Sequence, residues 1–145
     1  MNKVSIYLNF PGTTEAAFAF YQKVFGTEYS RPLVRMGSIP QQPGQPPMPD
    51  DEKDKVMNVA LPILGGLELM ATDAVGERGK SFKAGNNFSI NLQPDTRAEA
   101  RRLFAELSAG GSDVFPLTEM FWGALWSSFV DQYGTRWMIN CEAKE

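Results

Sequence analysis

Glu68, Arg136, Tyr7, Asn58 and Trp126 have the most chemistry to offer in this sequence. Two spacings among them are equal, because Glu68 to Arg136 and Asn58 to Trp126 each span 68 residues. A lone Glu68 in an apolar pocket would have a raised pKa and could act as a general base. Beside Arg136 it becomes half of an ion pair, because an isolated buried charge is costly. Tyr7 is the other acid-base group. The amide of Asn58 both donates and accepts, and the indole of Trp126 offers a large flat contact. The absent residue types exclude still more. The 145 residues include no histidine, so a Ser-His-Asp triad, a Cys-His pair, a His general base and a His-ligated metal are ruled out. A net charge of −3 argues against nucleic acid as a partner. The single cysteine, Cys141, makes no internal disulfide and reads as a buried strand residue in a reducing, cytoplasmic compartment. No apolar run reaches the ~18 residues of a membrane span, and no apolar targeting segment is read at the N-terminus.

The elements that must position these residues recur twice along the chain. Val4, Ile6, Leu8 and Phe10 alternate with polar residues as a half-buried strand does, and Pro11-Gly12 breaks the run. A helix follows, with Thr13 or Thr14 as cap, a stripe of Ala17, Phe20, Tyr21 and Val24, and Gly26 as its stop. The second copy has Phe88, Ile90 and Leu92 alternating, Pro94 as breaker, and a capping box at Thr96-Arg97-Ala98-Glu99. Its helical stripe is Ala100, Leu103, Phe104 and Leu107, and Gly110-Gly111 ends it. Ala17 recurs as Ala100 and Val24 as Leu107, both 83 residues on. Strands over 55–64 and 67–74 flank the hairpin glycines Gly65-Gly66, and strands over 124–131 and 135–142 flank Gly134. Segments 27–36 and 113–117 supply the remaining strand of each half. The fall in offset from 83 to 68 marks an insertion in the first half, the proline-rich run 37–53. That run reads as a surface loop or a lid, with Asp50-Asp51-Glu52 solvated.

Each half therefore reads β-α-β-β-β. The expectation is one α+β domain over 1–145, with pseudo-repeat halves 1–84 and 85–145. Their two modules form an eight-strand curved sheet around a concave cleft, with one helix packed outside each module.

Seven short segments carry a family likeness: Tyr-Leu-Asn-Phe-Pro-Gly at 7–12, Ala-Phe-Tyr-Gln-Lys-Val-Phe-Gly at 19–26, Lys-Val-Met-Asn at 55–58, Leu-Met-Ala-Thr-Asp at 69–73, Phe-Trp-Gly at 121–123, Asp-Gln-Tyr-Gly at 131–134 and Trp-Met-Ile-Asn at 137–140. In this order they resemble the vicinal-oxygen-chelate superfamily of glyoxalases, extradiol dioxygenases and bleomycin-resistance proteins. Within it they resemble the PhnB-like branch, sometimes labelled 3-demethylubiquinone methyltransferase-like. The resemblance implies metal ligands at inward positions on the first and last strand of each half, which here are Ser5, Met70, Ser89 and Met138. Neutral hydroxyls and thioethers are poor ligands for hard or borderline divalent ions. The branch commonly has His where Asn58 stands, and a small Gly where Ser127 stands. The expectation is thus no metal and no cofactor, with a carboxylate-only site from Glu68, Asp73 or Glu142 as the remaining metal alternative. No Gly-rich strand-to-helix turn supports a nucleotide-type methyltransferase site.

Strand phase then gives a cleft lining of Ser5, Tyr7, Val56, Asn58, Glu68 and Met70 from the first half. Ser89, Asn91, Trp126, Arg136 and Met138 come from the second. This mixture suits a small, largely apolar or aromatic molecule oriented by a few hydrogen bonds. Phe121-Trp122 reads either as a gate over the cleft or as packing between the halves. Three readings stay open: a metal-independent small-molecule binding protein, an enzyme using Glu68 or Tyr7, and an interaction module with a filled cleft. A homodimer is expected because the sheet edges need cover.

Overall fold

A computed structural model describes residues 2–145. The chain divides into two compact units, one up to Lys83 and one from Ala84. In the first unit, β1 (Ile6–Phe10) leads through Pro11-Gly12 into α1 (Thr14–Phe25), followed by β2 (Val34–Arg35), a short α2 (Asp50–Lys53), β3 (Val56–Pro62), β4 (Glu68–Asp73) and a short α3 (Gly76–Lys80). The second unit runs β5 (Ile90–Leu92), α4 (Arg97–Ser108), β6 (Ser112–Glu119), β7 (Leu125–Val130) and β8 (Arg136–Cys141).

Each unit builds one four-stranded sheet with the same topology. The orders are β1-β4-β3-β2 and β5-β8-β7-β6. In both, the first strand is parallel to the last, and the other pairings are antiparallel. A parallel pairing needs a crossover, and the long helix of each unit supplies part of it. The fold is α+β, with two βαβββ modules and eight strands divided between two sheets.

Alternation decides which face the helix covers. In the first unit, Val59, Leu61, Leu69 and Ala71 are fully buried and share one sheet face, where α1 packs on β3 and β4. The helix presents Thr14, Ala17, Phe18, Tyr21 and Val24. Phe18, in place of the expected Phe20, completes this stripe, meeting Phe10 and Tyr21 in edge contacts at 6.4 and 5.6 Å. In the second unit, Leu125, Phe129, Trp137, Ile139 and Cys141 lie beneath Ala100, Leu103 and Leu107 of α4. The Phe104–Phe129 edge contact at 5.9 Å fixes that face.

Local chemistry sets the ends of the elements. Gly26 adopts φ 66°, the left-handed conformation that closes α1 on the Gln22 carbonyl. Thr96 caps α4 by accepting the Glu99 amide at 3.1 Å. The reciprocal half of the expected capping box is absent, because the Glu99 carboxylate is turned to Arg102 at 2.6 and 2.9 Å. The strand expected over 27–36 shrinks to Val34–Arg35. Pro32 lacks an amide donor, and the preceding residues are held by single bonds, Thr27 Oγ1 and Ser30 N donating to the Pro62 and Ala60 carbonyls at 2.6 and 3.0 Å. Asp50-Asp51-Glu52, read as a solvated run, is exposed or half-buried and forms the first turn of α2.

A buried carboxylate braces the frame of each unit from within. Asp73 accepts the amides of Thr14 at 3.0 Å and Val56 at 2.8 Å, joining β4 to the starts of α1 and β3. Asp131 accepts the Tyr133 and Thr135 amides at 2.8 and 3.1 Å and the Trp137 indole at 2.8 Å, which holds the β7–β8 turn.

Candidate functional site

The helix-free face of the first sheet gathers most of the expected residues of that half. Tyr7 pairs with Met70 across β1 and β4, and Ala60 pairs with Met70 across β3 and β4. Asn58 and Glu68 follow on the same face by alternation. The Asn58 amide donates to the Tyr7 hydroxyl at 3.4 Å, and Tyr7 is 49% exposed. The two groups expected to address a ligand thus already share a polar contact. Ser5 Oγ donates to Met70 Sδ at 3.6 Å, and Arg31 Nη2 lies 3.5 Å from the same sulfur. Val56, expected in the lining, is only 1% exposed. That burial closes its side chain off from a ligand, and its amide is committed to Asp73 at the start of β3.

Glu68 departs from both roles considered for it. Its carboxylate accepts the Ser30 hydroxyl at 2.6 Å and Lys3 Nζ at 3.2 Å. The Ser30 bond, with the charges of Lys3 and Arg31, holds its pKa below the ordinary glutamate value against the opposing effect of burial. A carboxylate held down in this way is a weaker base, not a poised one. Arg136 has its own partner in Asp113 at 3.8 Å. Each of the two residues expected to pair, Glu68 and Arg136, has a local partner within its own unit. Neither local partner follows from the 68-residue repeat.

The second sheet offers a more aromatic face. Its helix-free positions include Asn91, Trp126, Ser128, Arg136, Met138 and Asn140. Asn91 and Ser128 flank Met138 from the two neighbouring strands, and Trp126 pairs with Asn140 and Thr118. Ser89, just before β5, is half-buried. Trp126 is half-buried on the face away from α4, and Phe115 meets it edge-on with ring centres 5.1 Å apart. Phe115 escaped the sequence reading because the face of its strand had no alternation to fix it. Its pairing with Ser128 places it. Beyond the sheet, Phe121 is 96% exposed in edge contact with Trp122, whose indole donates to Asn140 Oδ1 at 3.4 Å. Phe121 thus lies outside the core of its own unit.

The residues from 7 to 139 match the model of the glyoxalase/bleomycin resistance protein/dioxygenase superfamily. The chain belongs to this superfamily. Among solved structures, this superfamily member is similar to protein PA1353 from Pseudomonas aeruginosa, with 34% identity, a TM-score of 0.80, and coverage of 99% of this chain and 100% of that one. It is similar in fold to the PhnB protein from Bacillus cereus, at 22% identity and TM-score 0.75 over 97% of this chain and 99% of that one. It also resembles the bleomycin resistance determinant of transposon Tn5, at 16% identity and TM-score 0.57 over 99% and 100% of the two chains. No curated protein sequence matches the chain.

The superfamily name includes metal enzymes, so the donor set can be tested against a metal. The positions implied for ligands hold Ser5, Met70, Ser89 and Met138. The Met70 thioether already receives the Ser5 hydroxyl and has the Arg31 guanidinium beside it. A fixed cation next to a soft, neutral donor repels a second cation, and hydroxyl plus thioether suits no hard divalent ion. The carboxylate alternative fares no better. Asp73 is committed to two amides and Glu68 to Ser30 and Lys3, while Glu142 lines a separate recess of about 220 Å³ with Asp95 and Asn140. The residues present do not fit the metal that the family name implies.

Proposed function

We propose that this protein is a metal-independent, PhnB-like binding protein for a small, flat, largely apolar molecule. The ligand lies against the helix-free sheet faces. The observation that carries the reading is the Trp126–Phe115 pair on the open face of the second sheet, with Met138 and Asn140 beside it. An indole supported edge-on by a second ring is a rigid apolar platform, and the Asn140 amide beside it can orient a polar substituent. On the first sheet, the Tyr7–Asn58 contact at 3.4 Å is long for a hydrogen bond, so a ligand carbonyl or hydroxyl can replace it at little cost. Ser5, Met70, Ser89 and Met138 then act as neutral lining, while Glu68 and Arg136 keep local partners and shape the rim. The lowered pKa of Glu68 counts against the acid-base enzyme. The solved relative named as a bleomycin resistance determinant supports a binding role by analogy of fold.

The same reading takes the two units as one working domain. It places the protein in the cytoplasm, on the evidence of its one free thiol, Cys141, and takes it as a homodimer. Among the described residues, no helix is long and apolar enough to cross a membrane. Titration calorimetry with neutral flat probes such as 2-naphthol and flavone tests the binding function. Saturable binding that Trp126→Ala weakens supports it, and binding indifferent to that change refutes it.

A further inference from the structure

The proline-rich run forms an organised loop with a cavity inside it. Met36–Ser38 is a 3-10 turn, Met36 N donates to the Lys55 carbonyl at 2.8 Å, and Gln41 Nε2 donates to the Gln45 carbonyl at 3.0 Å. Gly37 closes the ring from inside: a Cβ there would stand 3.0 Å from both Lys53 Cβ and the Lys53 carbonyl. The backbone at 37 thus rests directly on α2, a contact only glycine permits without displacing Lys53. Between these points lies a cavity of about 370 Å³. Its wall is mostly apolar, from Met36, Ile39, Pro40, Pro46, Pro47 and Met48, with Gln41 and Gln45 among them, and Lys53 is the one charged residue among the described residues that line it. That volume falls in the range of small-molecule sites, about 300–1,000 Å³.

We propose that this loop is a second ligand site, separate from the sheet faces, which takes a small organic anion with an apolar ring body and a carboxylate- or sulfonate-type head. Proline rings give the ring a rigid apolar wall, and the Met36 and Met48 thioethers adapt to its outline. Lys53 gives the only charge complement. Its present partner is Asp50, at 2.8 Å, whose side chain is 95% exposed. An exposed pair of this kind contributes little, so Lys53 can turn to a bound anion without a large loss. The preformed ring of backbone contacts means the loop need not fold on binding.

The test uses the full-length protein with ¹³C-labelled methionine methyl groups and 8-anilinonaphthalene-1-sulfonate as the probe. Met36 and Met48 report on the loop cavity, and Met70 and Met138 on the sheet faces. The expected result is saturable movement of the Met36 and Met48 resonances. Lys53→Gln weakens the probe about threefold, the scale of losing one partly exposed ion pair. Trp126→Ala leaves the half-saturation point of the Met36 and Met48 shifts unchanged, which separates this site from the sheet-face reading. Lys53 is half-exposed, and circular dichroism verifies that its variant is folded. Three results overturn the proposal: shifts confined to Met70 or Met138, equal affinity in Lys53→Gln and wild type, or Met36 and Met48 resonances that move with protein concentration alone, which would make a second copy the occupant.

Discussion

Replacing Trp126 by Ala separates a ligand platform from a structural tryptophan, and Trp137 in the next strand provides the contrast. Trp126 is half-buried on the helix-free face, and its clearest partner is the Phe115 ring, 5.1 Å away. Losing an aromatic pair costs about 0.5–1.5 kcal/mol beyond area. A fully buried Trp→Ala change costs about 3–5 kcal/mol, and half-burial scales that down. A loss of about 2 kcal/mol in stability is expected. Trp137 is fully buried beneath α4, and its indole donates to Asp131 at 2.8 Å. Trp137→Ala therefore loses the full ~3–5 kcal/mol, plus about 1–3 kcal/mol for an acceptor left short of a donor. That sum approaches the whole stability of a small domain, about 5–15 kcal/mol. Urea unfolding followed by far-ultraviolet circular dichroism measures both changes without relying on indole fluorescence. Calorimetric titration of the folded Trp126→Ala protein then isolates binding, where a loss of about 1–3 kcal/mol is expected if the platform carries the ligand. Two results would refute this reasoning: equal stability losses at the two sites, or a Trp126→Ala protein that folds normally and binds every probe as wild type does.

Four further outcomes follow from named contacts. Glu68 has its pKa lowered by Ser30, Lys3 and Arg31, so its contribution to stability is fully present above the unfolded-state pKa of about 4.3 and is lost as pH falls through the lower folded value. Wild type should exceed Glu68→Gln in urea midpoint at pH 7, and the gap should close in acid; a gap that persists or grows at low pH contradicts the assignment. Arg97 donates to the Ala143 and Gly123 carbonyls and to Glu119 at 2.8, 3.0 and 2.7 Å from a buried position, so Arg97→Lys should cost about 3 kcal/mol because an ammonium cannot reproduce the fork. Elemental analysis after purification without chelator should find no stoichiometric zinc, nickel or iron, and one tightly held ion per chain would sink the metal-free reading. Sedimentation at micromolar concentration should show a dimer, against which a purely monomeric profile would count.

The fold was open to sequence reading because it is written twice. Strand alternation and helical stripes recur in the same order, and a repeat that reappears 83 residues on is hard to produce by accident. The strand phase read for Trp126 and Met138 matches their helix-free face because alternation has only two settings, and Phe129 and Ile139 fix which one. The misplaced details share one cause, the reach of side chains between elements. Nothing in the period of α1 separates Phe18 from Phe20, since both lie near its apolar edge and Phe10 decides between them. Glu68 and Arg136 matched by offset, yet offset says nothing of Ser30 and Lys3, which lie outside the strands, or of Asp113, which has φ 51° in the irregular start of β6. Arg97 was read only as part of a capping motif, although its buried fork fastens the chain around Gly123 and Ala143.

The insertion shows the same boundary from the other side. Five prolines within 37–53 announce a segment that cannot join a sheet, and the loss of pairing is all that proline content can announce. Whether such a segment is slack or structured depends on a few backbone contacts. Here these are the Met36 amide on Lys55, the close approach of Gly37 to Lys53, and the Gln41 side chain on Gln45. Each is a meeting of residues 4 to 19 positions apart without periodicity, so no pattern in the sequence marks it. The consequence is physical. A loop tied at its base and across its tip keeps its apolar side chains around an open volume when they would otherwise collapse together. That is the condition under which a surface insertion can hold a ligand. Gly37→Ala probes the tie itself. The added methyl group must displace Lys53, so the Met36 and Met48 methyl resonances should shift while those of Met70 and Met138 stay in place. Unmoved Met36 and Met48 resonances would mean that the loop does not depend on this contact.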